Sequence, residues 1–464
     1  MLFRQYELGC LSLYSYLVGD TTSGRAVVID PQRDIGVYVA DAAAHGLRIE
    51  RVIETHFHAD FVSGHLELAR ATGATVSYGP GAEADFPIHN LAHGQRLSLG
   101  EVVLEVRATP GHTPESISVV VWEHRDDRAP WAVLTGDMLF IGDVGRPDLL
   151  ASPGVSAEHL AGQLYHSLHE QLLTLPDSTV VFPAHGAGSA CGRAMSSAPS
   201  STMGAQRRSN YALAPMTEEA FVAAVIADQP LAPTYFPFAA STNRRAHELL
   251  DEQRIPEVLS LDQVLRYQAG GAAVVDTRPP QDFASGYLKG ALNVSLDGRF
   301  AEYAGDVFRP QQAIIIVADP GREAEAKTRL ARIGFDTVCG YLPHIEAVLA
   351  GHPDRARRAL RLRAADLADW LSTDRSVQLV DVRNPSEHQA GTIAGARLIP
   401  LPLLLDNTHQ LDPDRSTVVV CASGSRSSVA ASLLRARGFD PVADVLGGFD
   451  ACAAAGMPVA RPQS

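Results

Sequence analysis

The sequence lacks three features that would assign the chain to other classes of protein. Basic residues are outnumbered, 39 against 53 acidic ones, and the formal net charge is −14, whereas binders of nucleic acid or anionic membranes need a basic face. Apolar runs such as "AIIIVA" at 313–318 are strand-sized and too short to span a membrane. The N-terminus, "MLFRQYELGC", lacks the charged, apolar and small-residue sections of a secretory signal. We therefore expect neither a nucleic-acid partner nor a membrane partner.

Cysteine is also scarce. The five cysteines are odd in number and widely scattered, so they do not form a disulfide framework. We expect a cytoplasmic protein, because thiols stay reduced and chemically available in that compartment. Hydrophobic residues make up 46% and charged ones 20%, which is typical of globular proteins. A chain of 464 residues is too long for one ordinary core, so roughly two to four domains are expected.

The second half of the chain repeats itself. The segment "VVDTRPPQDFASGYLKGALNVSL" at 274–296 matches "LVDVRNPSEHQAGTIAGARLIPL" at 379–401, an offset of 105. Further on, "IIIVADPGREAEAKTRLARIGF" at 314–335 matches "VVVCASGSRSSVAASLLRARGF" at 418–439, an offset of 104. Short β-branched runs alternate with helical stretches in both copies, which indicates parallel α/β sheets. The same fold is therefore used twice.

The repeat suggests three domains. We predict one copy over residues 256–352 and the other over 358–464, with linker candidates at 250–260 and 350–362. Residues 1–250 differ from both copies, because strands such as "RVIETH" and "AVLTGD" are interspersed with helical pieces such as "VSGHLELARATG". This pattern predicts a mixed, sheet-rich α/β domain.

Histidines and a carboxylate follow several strands of this first segment. In "ETHFHADFVSGH" at 54–65, His56 and His58 point the same way if the segment is extended, so they can converge on one ion. His112 in "TPGHTPES", Asp137 in "LTGDMLF" and His185 in "FPAHGAG" also follow strands. A single histidine of this kind is more often a satisfied polar residue. Together these residues predict a metal cleft at one edge of a sheet.

The order of these motifs resembles the metallo-β-lactamase superfamily over residues 1 to about 245. Within it, "VIDPQRD", "HFHADFVSGH" and "GDVGRPDL" resemble persulfide dioxygenases, especially bacterial forms fused to rhodanese domains. The resemblance implies an αββα sandwich and one Fe(II) per chain, held by His56, His112 and Asp137, with His58 as a further candidate ligand. Two histidines and one carboxylate leave coordination positions open for oxygen and a sulfur substrate.

Phe61 stands where hydrolases of this superfamily carry another histidine. A second zinc would need Asp60, a histidine at position 61, His185 and a bridging Asp137, and phenylalanine cannot ligate. The sequence therefore favours one metal, with Asp60 and His185 hydrogen-bonding a ligand imidazole or a metal-bound water. The alternative is that Phe61 simply packs while water completes a weak second site.

Two further residues are candidates for binding the substrate. The fork of Arg146 could hold a carboxylate of a thiol substrate, or it could form an ion pair with Asp143 or Asp148. Cys191, in "GAGSACG", could meet a persulfide, or it could be a small buried hydrophobe.

A second chemical site is predicted in the last copy. In "VVVCASGSRSSVAASLL", Cys421 follows a buried strand and precedes a short loop with Gly424 and Ser425, and then a helix. Backbone N–H groups of such a loop stabilise a sulfur anion or a persulfide, and Arg426 adds positive charge. The copy resembles the rhodanese family over roughly 358–464, which implies that Cys421 is the sulfur-accepting nucleophile. A phosphatase loop, with its Arg six rather than five residues after the Cys, and an inert buried cysteine are the alternatives.

The earlier copy departs from this pattern. We align Val317 with Cys421 and Pro320 with Gly424, while Arg322 stands opposite Arg426. Because valine cannot form a persulfide, residues 256–352 are predicted to be a rhodanese-like domain without catalytic activity, a spacer or an interface module.

The two resemblances together imply sulfide oxidation or detoxification. Iron would allow O₂ to oxidise a low-molecular-weight thiol persulfide to sulfite and thiol, and Cys421 would pass sulfane sulfur, with sulfite as an acceptor that yields thiosulfate. A homo-oligomer is expected. The rival hypotheses are a two-zinc thioester hydrolase of the glyoxalase II kind and a non-catalytic sulfur-trafficking protein.

Overall fold

The computed structural model of the chain describes residues 1–149 and 155–461. The chain divides into two compact units, Met1–Gln229 with Phe236–Glu252, and Pro230–Tyr235 with the chain from Gln253 onward. Among the described residues there is no helix long and apolar enough to cross a membrane.

The first unit is built on two six-stranded sheets, each paired in chain order. The strands of the first sheet are β1 (Leu2–Leu8), β2 (Leu13–Asp20), β3 (Arg25–Ile29), β4 (Arg48–Ile53), β5 (Thr75–Tyr78) and β6 (His89–Asn90). Those of the second are β7 (Arg96–Ser98), β8 (Val103–Ala108), β9 (Ile117–Trp122), β10 (Ala132–Gly136), β11 (Val180–Pro183) and β12 (Ser201–Thr202). Pairing is parallel from β3 to β6 and between β10 and β11, and antiparallel elsewhere.

Helices cover the outer faces of both sheets of the first unit. They are α1 (Gly36–Ala44), α2 (His65–Thr72), α3 (Ala157–Ser167), α4 (Met203–Ser209), α5 (Glu218–Ile226) and α6 (Phe236–Thr242), with a π-helical turn at Leu168–Leu172 and a 3₁₀ turn at Tyr211–Leu213. The core between the sheets joins residues such as Tyr16 and Val27 to Leu104 and Leu134. One outer face packs on α1 and α2, and the other on α3 and α5.

This layering explains the composition of the strands. A sheet that is covered on both faces needs apolar residues at successive positions, as in "ISVVVW" of β9. The predicted αββα sandwich is therefore confirmed.

The second unit contains two parallel sheets. Its strands are β13 (Ala273–Asp276), β14 (Tyr287–Leu288), β15 (Ala291–Asn293), β16 (Ile314–Val317), β17 (Val338–Leu342), β18 (Ala356–Arg357), β19 (Leu360–Leu362), β20 (Gln378–Asp381), β21 (Thr392–Ile393), β22 (Arg397–Leu398), β23 (Thr417–Val420), β24 (Val442–Val445) and β25 (Val459–Ala460). The sheet orders are β15-β13-β16-β17 and β19-β24-β23-β20-β22, and all these pairs are parallel. Two small antiparallel pairs, β14 with β18 and β21 with β25, complete the copies. The predicted parallel α/β class is confirmed.

Helices follow the strands of both copies. They are α7 (Leu261–Ala269), α8 (Pro280–Ser285), α9 (Phe300–Val307), α10 (Glu323–Ala331), α11 (Ile345–Gly351), α12 (Ala364–Thr373), α13 (Pro385–Ala390), α14 (Leu401–Asn407), α15 (Ser425–Ala436) and α16 (Gly448–Ala454), with a 3₁₀ turn at Thr408–Gln410. Each sheet has its own hydrophobic core, with Val264 and Ile315 in the first and Leu367 and Val418 in the second.

These separate cores support domain boundaries close to those predicted from the repeat. We propose 1–250, 256–352 and 358–464, with two structural details. Strand β18 pairs with β14, so the linker candidate 350–362 holds a strand of the first copy. The Thr234 hydroxyl donates to the Gly305 carbonyl at 3.0 Å, so a short segment before residue 250 packs on the first copy.

The buried ion pair between Asp381 and Arg383 at the end of β20 should make the stability of the last copy depend on pH in the acid range. Burial opposes ionisation of Asp381, but hydrogen bonds from His388, Arg383 and Thr392 hold the pKa of this carboxyl below its ordinary value of 3.8. The stabilisation is therefore present above about pH 4 and is lost as the pH falls through the lowered pKa. Urea unfolding should show a free energy that declines below pH 4 in the wild type and declines less in Asp381→Asn.

Asp369→Asn, which changes an exposed carboxylate of α12, is the matched control. An Asp381→Asn protein with the same acid dependence as this control would contradict the assignment.

Candidate metal centre and sulfur-transfer loop

Three buried side chains that follow β4, β8 and β10 converge in the first unit. The Nε2 atoms of His56 and His112 lie 3.9 and 3.6 Å from Asp137 Oδ2. Ligand atoms of all three residues lie within 4.8 Å of one another. The strands end at the same region of the sandwich, and this brings together residues that are far apart in the chain.

The residues present fit a metal ion. Asp137 Oδ2 is buried and accepts no hydrogen bond from any residue that the structure describes. The Nδ1 atom of His112 donates to the Arg146 carbonyl at 2.8 Å, and that of His56 contacts the Thr55 hydroxyl at 3.0 Å. These bonds leave both Nε2 lone pairs directed at the carboxylate oxygen. Two imidazoles and one carboxylate suit a first-row divalent ion.

His185 orients the carboxylate of this group. Its Nδ1 lies 2.6 Å from Asp137 Oδ1, and its Nε2 lies 2.8 Å from Asp60 Oδ2. Burial lowers the pKa of His185, but the two carboxylates more than offset this and raise it to about 10. Asp137 is therefore held with Oδ1 toward His185 and Oδ2 toward the two other histidines.

The structure places His58 in a different cluster. Its Nε2 lies 3.1 Å from Asp30 Oδ1 and 3.3 Å from Glu54 Oε2. Burial opposes the charged form, yet these two carboxylates raise the pKa of His58 well above its ordinary range. The ring of Phe61 packs against this imidazole at a centroid distance of 4.4 Å. His58 therefore lies beside His56, at a ring-centroid distance of 4.1 Å, with its Nε2 turned to Asp30 and Glu54.

The structure shows a second group of possible metal ligands, which the sequence did not indicate as a group. Ligand atoms of Asp60, His185 and Cys191 also lie within 4.8 Å of one another, and all three residues are buried. Burial, and then the carboxylates of Asp60 and Asp137, raise the pKa of the Cys191 thiol well above its ordinary range. Phe61 adds no donor to this set.

Arg146 forms one of the two ion pairs that the sequence left open. Its guanidinium is buried and binds Asp148 with two bonds of 2.8 and 2.6 Å, and it also donates to the Ala190 carbonyl. Asp143 accepts instead from the backbone N–H groups of Arg193 and Ala194. The Arg146 carbonyl accepts from His112 Nδ1, so this loop fixes the orientation of the His112 ring.

Sequence reasoning missed the residue that holds the metal loop in shape. The Asn243 amide donates to the carbonyls of His58 and Phe61 at 2.8 and 2.7 Å, and its oxygen accepts from the Ser63 backbone at 2.9 Å. It is 180 residues from Ser63, so no local pattern could have indicated it. Asp30, in the motif "VIDPQRD", accepts from the backbone N–H and the hydroxyl of Thr55, a role that the motif does not predict.

The second site lies at the end of β23. Cys421 is 1% exposed, and its Sγ accepts from the Gly424 backbone at 3.1 Å and contacts the Ser427 hydroxyl at 3.5 Å. Gly424 has a φ of +106°, a conformation that favours glycine, so the loop can turn its amide to the sulfur. Gly448 approaches so closely that a Cβ would lie 2.2 Å from the Cys421 carbonyl.

The side chains after the loop have distinct positions. Ser425 is exposed at the first position of α15, and Arg426 follows it. The Arg426 guanidinium binds both carboxylate oxygens of Glu387, on α13, at 2.7 and 2.8 Å. The positive charge of Arg426 is therefore partly neutralised by the Glu387 carboxylate. Asn384 and Glu387 also form a capping box, which the sequence could have indicated, but their spacing says nothing about Arg426.

Strand register corrects the alignment of the two loops. Asp276 pairs with Val317 in the first copy, and Asp381 pairs with Val420 in the second. The residue opposite Cys421 is therefore Ala318, and the alignment with Val317 is wrong by one position. The offset between the copies is 105 at Asp276 and Asp381 but 103 at Val317 and Val420, so the second copy is two residues shorter ahead of the loop, where sequence similarity indicated one.

The same register shows that the loop glycine is retained. Gly321, with a φ of +89°, corresponds to Gly424, so Pro320 does not replace it. The Gly321 backbone donates to the Glu323 carboxylate at 2.8 Å, where the Gly424 backbone donates to sulfur. The loop of the first copy therefore lacks a thiol and directs its amide to its own glutamate.

Comparisons with known proteins match the two regions of the chain that hold these sites. The description of the metallo-beta-lactamase superfamily matches residues 8–185, and that of the rhodanese-like domain matches twice, at 260–348 and 363–455. Over 189 residues the chain is 34% identical to the mitochondrial persulfide dioxygenase ETHE1 of Homo sapiens and to that of Bos taurus. Each alignment covers 40% of this chain and 68% of the relative.

Two further relatives bear on the fold and on the chemistry. A crystal structure of a metallo-beta-lactamase from Staphylococcus aureus subsp. aureus COL aligns with 74% of this chain and 99% of its own, at 32% identity and a TM-score of 0.67. A hydroxyacylglutathione hydrolase of Anaeromyxobacter dehalogenans is 37% identical over 152 residues, 32% of this chain and 55% of that protein. By its relatives and by the domains that follow its sandwich, the chain belongs to the persulfide dioxygenase family of the metallo-β-lactamase superfamily, in the form that carries two rhodanese-like domains.

Proposed function

We propose that the chain is a mononuclear iron persulfide dioxygenase coupled to a rhodanese sulfurtransferase, which acts in sulfide oxidation. The observation that carries the proposal is the convergence of His56, His112 and Asp137 around one unpartnered carboxylate oxygen. In the first reaction, R–S–SH, O₂ and H₂O give R–SH, sulfite and two protons, and O₂ is the oxidant. The terminal sulfur is oxidised and its bond to the thiol sulfur breaks.

The metal group would hold one Fe(II), which supplies, when bound, a centre where oxygen and a sulfur substrate can react. His185 keeps Asp137 in the orientation that presents Oδ2. Asn243 fixes the loop between His58 and Ser63, and so holds the segment that follows His56. Phe61 closes this side of the site with an apolar ring, so no further imidazole is offered to a second ion.

Cys421 would carry out the second reaction. Its thiolate takes the outer sulfur of a persulfide, and the thiol R–SH leaves. Sulfite then attacks that sulfur with its lone pair, the bond to Cys421 breaks, and thiosulfate is released as the thiolate re-forms. The Gly424 N–H, 3.1 Å from Sγ, faces the negative charge in both states. This contact supports sulfur transfer over an inert buried cysteine.

A two-metal thioester hydrolase is the second candidate. The set of Asp60, His185 and Cys191 favours it, as does the likeness to a hydroxyacylglutathione hydrolase. Against it, both ring nitrogens of His185 are engaged by carboxylates, and Phe61 offers no donor.

Arg146 is committed to Asp148, so we place the substrate carboxylate elsewhere. A cytoplasmic location and a homo-oligomer complete the proposal.

The metal count separates the two candidates. Anaerobically purified protein should contain about one iron per chain and consume O₂ with glutathione persulfide. His112→Ala should lose most of the iron and at least about tenfold of the oxygen uptake, since loss of one of three ligands weakens the site greatly. Elemental analysis and an oxygen electrode give both quantities.

His124→Ala is the control, because this histidine is exposed and its imidazole faces Asp127 and not the metal group. A wild-type protein with two zinc ions per chain and no oxygen uptake would support the hydrolase instead.

Removal of the sulfur-transfer thiol should divide the two activities. Cys421→Ser should abolish thiosulfate formation and leave persulfide-dependent oxygen uptake within about twofold of wild type, because the two sites lie in separate cores. Thiosulfate and sulfite are measured by chromatography beside oxygen uptake. Cys339→Ser, at a half-buried cysteine of the first copy, should change neither. Loss of oxygen uptake in Cys421→Ser would contradict this division of labour.

A further inference from the structure

The helix that follows Cys421 is shared between the two copies of the second unit. Residues Ser427 to Leu434 of α15 are all buried, which is unusual for a helix at the surface of a domain. On one side α15 packs against β23 and β24 of its own copy. On the other it packs against β15 and α9 of the first copy, whose loop lacks a cysteine. The first copy therefore forms part of the surroundings of the sulfur-transfer loop.

Asn293, at the end of β15, bonds directly to this helix. Its side-chain oxygen accepts from the Ser428 hydroxyl at 3.1 Å, and its backbone N–H donates to the Ser432 hydroxyl at 2.9 Å. Its side-chain NH₂ donates to the carbonyls of Asp276 and Arg278 at 3.0 and 2.9 Å. The residue is 1% exposed, so both ends of the amide are fully used in a buried place.

The rhodanese-like fold does not itself require an amide at this position. Strand pairing makes Leu398 the counterpart of Asn293 in the second copy, because each pairs with the aspartate at the end of the neighbouring strand. Leu398 is 37% exposed, whereas Asn293 is 1% exposed. The buried amide of Asn293 therefore serves two partners: its NH₂ bonds within its own copy, and its oxygen accepts from Ser428 of α15.

The bonded residue lies next to the groups that face the sulfur. Ser428 directly follows Ser427, whose hydroxyl contacts Cys421 Sγ, and Arg426 is one residue further back. All three belong to the first turn of α15 and move with it as one rigid unit. A side chain that anchors Ser428 therefore limits where Ser427, Arg426 and the Gly424 amide stand relative to the thiol.

We propose that Asn293, in the copy without a cysteine at its loop, is a positioning residue of the sulfur-transfer site, which it serves by anchoring the first turn of α15 through Ser428. The inference rests on the proposed sulfur transfer at Cys421. It assigns the first copy a specific task, namely to hold the loop of its neighbour in the geometry that stabilises a sulfur anion. Hydrogen bonds in buried places support such a role because a lost partner leaves a costly unsatisfied group.

The test is a double-mutant cycle on the full chain. Thiosulfate formation from glutathione persulfide and sulfite is measured anaerobically, so that oxygenation does not compete. Asn293→Ala and Ser428→Ala should each lower kcat about tenfold and leave KM within about twofold. The tenfold change corresponds to about 1.4 kcal/mol of activation free energy. The double variant should fall no further than the single ones, because both remove the same bond.

Ser428→Ala leaves the bonds of Asn293 within the first copy in place, so it tests the anchor without unsettling β15. The control is Asp406→Ala, which removes an exposed ion pair with Arg309 that also joins the two copies. It should leave kcat unchanged, and none of the variants should alter oxygen uptake.

The outcomes separate the inference from the proposed function. A wild-type protein that forms no thiosulfate overturns sulfur transfer at Cys421 and this inference with it. An active wild type with unchanged Asn293→Ala and Ser428→Ala variants overturns the inference alone. Rates that fall only in proportion to the folded fraction, measured by circular dichroism, or that fall independently in the two variants, also overturn it.

Discussion

The hydrogen bond between His185 and Asp137 is the interaction on which the metal site depends. A buried carboxylate must have partners, and here one oxygen is bonded at 2.6 Å while the other is left to the two facing imidazoles. His185 is held in turn by Asp60. If His185 turned away, Asp137 could rotate and both of its oxygens would seek other donors. The open oxygen that fits a metal therefore exists because the first oxygen is so firmly bound.

The sulfur-transfer site uses the same physical device with a different atom. A backbone N–H is aimed at an acceptor by a glycine in a left-handed conformation, and the acceptor is the Cys421 sulfur in one copy and the Glu323 carboxylate in the other. The two loops have nearly the same course, so their chemistry differs through a single acceptor. The first copy keeps the loop glycine in its left-handed conformation, and its β15 packs against α15.

Much of the architecture followed from local patterns. The repeat predicted two parallel α/β copies, and alternating strands and helices predicted the mixed first domain, because apolar periodicity reports which faces are buried. His56, His112 and Asp137, the ligand set that the family resemblance implies, lie together in the structure, and their role as metal ligands stays a prediction. The boundary of the loop in the first copy was misjudged at Val317, because sequence similarity cannot tell how many residues are missing ahead of a short loop.

The sequence by itself determined the types of chemical group that are present: imidazoles and carboxylates after strands, a phenylalanine in place of a ligand, and one cysteine before a glycine-bearing loop. Only the tertiary structure decided their partners. It turned His58 toward Asp30 and Glu54, brought Cys191 beside His185, and bonded Asn293 to a helix more than a hundred residues away. The reason is physical. Periodicity and spacing depend on neighbours along the chain, whereas the partner of a buried polar group is chosen by whichever donor or acceptor the packed sheets and helices place beside it.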